Sequence, residues 1–342
     1  MKKTILACLL LITCQAYAQQ PTTKDSLTLF YDSLFYHLQT SYLYTEETDW
    51  AALEPLKQEA INAPSFEAGL AHCTALFDSI NGSHLNIFSD FGWYKWSGGR
   101  EFTQADFHLD FLQKYESQPP FEVSVLNNQY GYILIPAMLM IDLTQDSLNR
   151  ATQQMYDQIM AVVQTTEVKG WIIDLRFNTG GNVFPMVTAL YHLLGNGTYY
   201  SLLDKHWAVA ELVRMRNGTI DDDGKTMASI TPTATPDLTT PVALITGILT
   251  GSSGELIPVS FRGRQHVTVI GEPSAGYLTG NSLTPLPFGA KLTLTTGYLA
   301  DRKGHYTHHI TPDTTLIKQA NFNPLTQDPN IKAAIQFIEG VK

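Results

Sequence analysis

The chain has 342 residues, with 32 acidic against 22 basic side chains and a formal net charge of −10. An acidic balance of that size argues against nucleic acid or an anionic lipid surface as a partner. The length allows one sizeable buried core plus an accessory unit.

The first residues, "MKKTILACLLLITCQAYAQQ", combine a basic start at Lys2 and Lys3, a short apolar run and an Ala16-Tyr17-Ala18 ending. That pattern predicts an export signal over residues 1–18, with the mature chain beginning near Gln19 and working in the periplasm or outside the cell. The apolar run is too short for a permanent span, and no later segment approaches the ~20 apolar residues a transmembrane helix needs. A lipid anchor at Cys14 is the weaker reading, because Thr13 is a poor residue before a modified cysteine. Removing the signal leaves Cys73 without a disulfide partner and moves the charge from −10 to −12.

Leu27, Phe30, Tyr31, Leu34, Phe35 and Leu38 recur at spacings of three and four, which predicts an amphipathic helix. A second helix is expected from Asp49 as its cap. In a third, Phe66, Leu70, Cys73, Phe77 and Ile80 share a face, so Cys73 belongs to the core, and Asn81-Gly82 stops the helix. These helices form a predicted cap over residues 19–90. Residues 91–120 carry Trp93, Trp96, Gly98-Gly99 and Pro119-Pro120 and are expected to be an irregular linker. "FEVSVL" and "YGYILI" flank a turn at 127–129 and predict a β-hairpin that opens the core over 121–342. A helix over 144–166, the strand "GWIIDLRF", a helix over 183–194, the strand "PVALI", a helix over 253–261 and the strand "HVTVIG" follow. Such alternation predicts parallel strands with crossover helices. The Thr-rich stretch 217–240 is expected as a surface loop, "AKLTLTTGYL" as a late strand, and "DPNIKAAIQFIEG" as a closing helix capped by Asp328.

Three loops carry chemistry-bearing residues. "DLRFNTGGN" ends an apolar strand, and Gly180 and Gly181 free the backbone to present N–H groups to an oxyanion. "TGSSGE" turns from "PVALI" into a helix whose positive end faces the same region. Ser83-His84 follows a helix stop. Together they offer nucleophile, oxyanion hole and base for acyl transfer. His305, His308 and His309 lie between a strand and Pro312 with no Cys or Glu beside them in sequence, so no metal is expected there. No cofactor is expected either. The Gly-x-Ser-x-Gly elbow of α/β-hydrolases is absent around Ser252. Three Asn-Gly-Ser/Thr sequons, at Asn81, Asn196 and Asn217, carry no meaning in a bacterial producer.

"DLRFNTGG" (174–181), Ser252 three residues before Glu255, "GEPSAG" (271–276), Pro312-Asp313 and the upstream "NGSHLNIF" occur in the order found in the tail-specific or C-terminal processing serine peptidases. The chain resembles that family, and its tricorn-core-like branch in particular, over roughly residues 25–340. The resemblance implies an α/β fold with a ClpP/crotonase-like core of strand-helix units and an N-terminal helical cap. It implies Ser252 as nucleophile, His84 as base, and Gly180, Gly181 and Ser253 at the oxyanion hole, acting on extended polypeptides that add a strand near the site. Lysine-dependent members carry their lysine at the position of Tyr277, so the base role shifts to His84. The tricorn-like glutamate position falls near Tyr306. Asp301 is then the first choice for the acid orienting His84, and Glu255 the second. The gap after His84 is too short for a PDZ module. The competing reading is a non-catalytic binder of a peptide or apolar ligand on the same fold. Oligomeric state is not legible. A histidine base at its ordinary value predicts an acidic activity limb at roughly pH 6 to 7.

Overall fold

The computed structural model describes residues 22–80, 82–99 and 101–341. The export signal, Cys14 and Asn81 lie outside the described residues. α1 (Thr23–Ser41) begins at a reciprocal cap, in which Thr22 Oγ1 accepts from Asp25 N at 3.1 Å and Asp25 Oδ2 accepts from Thr22 N at 2.9 Å. α2 (Glu54–Ile61) starts later than expected, because Asp49 caps only a turn through Ala52 N. α3 (Phe66–Ser79) buries Cys73, as its periodicity requires.

β1 (Asn86–Ser89), β2 (Gly92–Lys95) and α4 (Leu109–Glu116) follow. The expected irregular linker over 91–120 is therefore corrected: β2 pairs with β1, and Phe111 of α4 is buried in an aromatic stack with Phe177 at 4.7 Å. β3 (Glu122–Leu126), β4 (Tyr130–Leu134), α5 (Gln145–Thr165), β5 (Gly170–Asp174), α6 (Val183–Ala189) and α7 (Tyr191–Leu194) fall where the pattern puts them. β6 (Gly197–Leu203), β7 (Val209–Arg216), β8 (Thr219–Asp222) and β9 (Lys225–Ser229) form an antiparallel meander. This corrects the surface-loop reading of 217–240, where Ile220 and Ala228 are buried. β10 (Val242–Thr246), α8 (Ser253–Phe261), β11 (Val267–Gly271), β12 (Thr279–Pro285), β13 (Lys291–Asp301), β14 (Thr314–Thr315) and α9 (Pro329–Gly340) complete the described chain.

Two sheets organise these elements. One runs β14-β11-β10-β5-β4-β3, parallel except at the β3 edge. β4, β5 and β10 are buried at every position, because α5, α6 and α8 cover one face while α4 and α9 cover the other. The second sheet runs β2-β1-β13-β6-β7-β8-β9, with β12 added on β13. The first three helices share their core with Ile87 of β1 and with Leu292 and Leu294 of β13.

Register places the site. Ile245 pairs with Asp174, and Thr246 with Gly271, so β5, β10 and β11 end level with one another. The loops that follow them therefore emerge together at the carboxyl edge of the sheet, where open α/β folds bind ligands.

A buried ionic cluster fixes the first of these loops. Arg176 is 3% exposed, and Asp174 and Asp328 are fully buried. Its Nη2 meets Asp174 Oδ2 at 2.6 Å, its Nε meets Asp174 Oδ1 at 3.0 Å, and its Nη1 meets Asp328 Oδ2 at 2.8 Å. Asp328 also caps α9 through Asn330 N and Ile331 N. Burial works against the guanidinium charge, but the two carboxylates outweigh it and hold Arg176 above its ordinary value. Removing the cation would leave two carboxylates without compensation, which typically costs about 3–5 kcal/mol. Arg176→Leu should lower the urea-unfolding free energy by that amount. A loss below about 1 kcal/mol would show that the cluster does not secure the strand end.

Candidate active site

Ser252 stands at the head of α8 with φ 53° and ψ −118°, a backbone region that side-chain-bearing residues rarely enter. Such strain costs on the order of 1–3 kcal/mol and persists only where the surroundings impose it. Here Glu255 imposes it. Ser252 N donates to Glu255 Oε2 at 2.8 Å while Glu255 N donates to the Ser252 carbonyl at 2.9 Å. The Glu255 carboxylate, fully buried, also accepts from Tyr277 N at 2.8 Å, Gly276 N at 2.9 Å and Ser274 Oγ at 2.5 Å. Burial raises its pKa, and the four donors oppose that without cancelling it.

The loop after β5 closes against this corner. Gly180 (φ 120°) leaves no room for a side chain, since a Cβ there would lie 3.1 Å from Ser252 Cβ. Gly181 (φ 112°) is tighter, with a Cβ falling 2.2 Å from the Met138 carbonyl oxygen. The sequence assignment of both glycines as oxyanion donors is corrected in part, because Gly180 N already donates to Asn178 Oδ1 at 3.0 Å. Met138 N bonds Gly180 O at 3.0 Å and Asn182 N bonds Met138 O at 2.8 Å. In that parallel bridge the Gly181 N–H faces away from Met138. Ser253 donates its hydroxyl to Gly181 O at 2.5 Å, which joins the two loops. Its amide, first in the helix, has no intrahelical acceptor. The structure thus brings Ser252, Ser253, Gly180 and Gly181 together.

His84 lies between α3 and β1, where Gly82 N bonds back to Phe77 O at 2.8 Å and turns the chain. Its Nδ1 meets Thr279 Oγ1 at 2.7 Å and Asn281 Nδ2 at 3.0 Å. The ring packs on Tyr277 with centroids 5.4 Å apart, and the Tyr277 ring in turn borders Gly251. Tyr277 therefore neighbours both the histidine and the serine corner. Among the described residues no hydrogen bond joins Ser252 to His84. The imidazole is only partly covered at its surface, yet burial pushes it down to about 4.

Neither carboxylate expected to orient His84 reaches it. Asp301 sits three residues beyond Tyr298, the strand partner of Thr279, and turns to its own hairpin. There it accepts from Lys303 N at 2.8 Å and His305 N at 3.0 Å. Glu255 is consumed by the four donors above. The neighbours His84 does have, Thr279 and Asn281, carry no motif and were missed in the sequence. Their only signal was alternating polar residues after "GEPSAG".

Tyr298 leads to a second missed feature. Trp207, at the tip joining β6 and β7, stacks on it at 4.3 Å and 3°, is 57% exposed, and has φ 64°. The adjacent Lys205 bonds Glu46 of the helical region at 2.5 Å. Tyr277 also borders a cleft of 330 Å³, lined further by Phe102, Ile248, Pro273, Ala275, Ile317 and Lys318 among others. No helix among the described residues is long and apolar enough to cross a membrane.

The strain at Ser252 gives a direct test. Glycine accepts φ 53° without penalty, and its extra unfolded-state freedom costs about 0.5–1 kcal/mol. Ser252→Gly should therefore stabilise the fold by about 1 kcal/mol in urea unfolding. A variant less stable than the parent would remove the case for strain.

A solved lipoprotein from Streptococcus agalactiae superposes with a TM-score of 0.63 at 24% identity, covering 88% of this chain and 94% of that one. A peptidase candidate from Parabacteroides merdae superposes at 0.60 with 18% identity, covering 92% and 96%. Both likenesses are of fold. A nisin-resistance protein of Lactococcus lactis subsp. lactis is 34% identical over 146 residues, which is 42% of this chain and 45% of that relative. This chain therefore spans less than half of that relative's length. The family model for peptidase family S41 matches residues 129–316, more than half of the chain, so the protein belongs to peptidase family S41.

Proposed function

We propose that the protein is an exported serine peptidase acting on extended polypeptides, with Ser252 as nucleophile and His84 as base. The observation that carries this reading is the strained backbone of Ser252 at the head of α8, packed against Gly180 at the carboxyl edge of the sheet. The Ser252 hydroxyl attacks the scissile carbonyl and gives its proton to His84. The N–H groups of Gly181 and Ser253 hold the developing oxyanion, and the imidazolium then protonates the leaving amine. Water resolves the acyl-enzyme by the same route. In this reading the Ser252–His84 hydrogen bond forms when substrate binds, as in many enzymes whose contacts tighten only when occupied. The cleft beside Tyr277 offers room for a substrate side chain. The signal at 1–18 supports export, and the Lactococcus relative's name adds nisin as a substrate to test.

That no hydrogen bond joins Ser252 to His84 among the described residues favours the second reading, a non-catalytic binder. Activity measurements separate the two. Ser252→Ala should lose peptide cleavage by at least about 10³-fold with the fold intact. Protonated imidazole cannot accept the serine proton, so kcat/KM should rise as pH increases through His84's value of about 4 and level above it. The limb is thus expected about two to three pH units below the sequence expectation. Burial and the Glu255 charge raise the Tyr277 phenol, so it stays protonated and Tyr277→Phe should keep the limb. The same depression makes the fold lose stability as pH falls from about 6.5 toward about 4, where His84 must charge. Turnover by Ser252→Ala equal to the parent would overturn the nucleophile.

A further inference from the structure

We propose that Asn281, held by Thr295, occupies the place of an orienting acid as a neutral positioning residue that sets the tautomer of His84. The inference rests on His84 being the base. Thr295 Oγ1 donates to Asn281 Oδ1 at 2.9 Å, and this turns the amide nitrogen toward His84 Nδ1 at 3.0 Å. Thr279 Oγ1 lies 2.7 Å from the same nitrogen and, as a hydroxyl, is able to donate to it or accept from it. The amide N–H only donates, so in this arrangement Nδ1 is unprotonated, the Thr279 hydroxyl shares its single lone pair as a second donor, and Nε2 carries the proton. A histidine in that tautomer has no lone pair on Nε2 to take a proton from Ser252. It is a resting form.

Turning the Asn281 amide over reverses the chain. Oδ1 then accepts from Nδ1–H, Nδ2 donates to Thr295, whose hydroxyl accepts, and Nε2 becomes free to act as base. No proton is gained or lost, only moved from Nε2 to Nδ1. A carboxylate would hold the active tautomer permanently and favour the imidazolium. A neutral amide permits both forms.

Among the described residues, Thr279 and Asn281 on β12 touch the ring and Thr295 on β13 holds Asn281 from behind; all three are uncharged, as is Asn86 on β1, which bonds the His84 main-chain oxygen. Tyr277 is the titratable neighbour, kept protonated by burial and by Glu255, which sits behind it.

The test is ¹⁵N NMR of the His84 ring in the parent, in Asn281→Asp and in Thr295→Val. The parent should show the Nε2–H tautomer. Asn281 is exposed, so aspartate there should fold, and it should shift the ring to Nδ1–H and raise its titration midpoint by about one pH unit or more. Thr295→Val frees the amide and should give a mixture of tautomers. An unchanged tautomer and midpoint in Asn281→Asp would overturn the proposal, as would a parent already in the Nδ1–H form. Peptide hydrolysis by Asn281→Asp separates this from the base assignment. If the NMR midpoint moves while the acidic limb of kcat/KM does not follow, the positioning stands and His84 is not the base.

Discussion

Much of the site hangs on one buried carboxylate. Glu255 takes donors from its own helix head at Ser252 and from Ser274, Gly276 and Tyr277 after β11. Each acceptor position is filled by a donor that water would otherwise satisfy, which is what makes burial of the group tolerable. The consequences spread outward. The same bonds twist Ser252 into its strained conformation, fix the backbone of Tyr277, and through its ring set where His84 packs. A group that sequence motif alone makes a candidate acid is instead the tie between two loops.

The ionic cluster at Arg176 does comparable work one layer deeper. It joins the end of β5 to the start of α9, so the loop carrying Gly180 and Gly181 leaves a strand end that cannot fray. Thr250 continues the fastening, with its hydroxyl on Leu175 O at 2.8 Å and its carbonyl accepting from Ala275 N at 2.8 Å. Three loops from three strands thus move as one body, and precise placement of reacting groups depends on such rigidity.

The alternating core was legible because β5 and β10 are buried on both faces and so read as uninterrupted apolar runs, with helical periodicity between them. Gly180 and Gly181 were legible because tight corners admit few residues, whereas Ser252 stood out through its place in the motif order of the resembled family. The meander over 217–240 was not, because its strands are short and polar outward and only Ile220, Ala228 and, just past β9, Ile230 are buried in the core. The neighbours of His84 were hidden more deeply. Asn281 and Thr279 lie 197 and 195 residues away in sequence and meet the histidine through β12 packing on β13 beside β1, a pairing that composition does not encode. A search for a carboxylate near the tricorn-like glutamate position at Tyr306 therefore chose Asp301.

The chain carries five tryptophans, and Trp207 differs from a buried one such as Trp171 in standing half in water with its indole flat on Tyr298. Tyr298 is the cross-strand partner of Thr279, which holds His84. The indole is thus a native optical probe placed one strand from the histidine. Any change in the stacking of the two rings would alter its emission intensity and colour, so the state of this end of the sheet can be followed by fluorescence without adding a label.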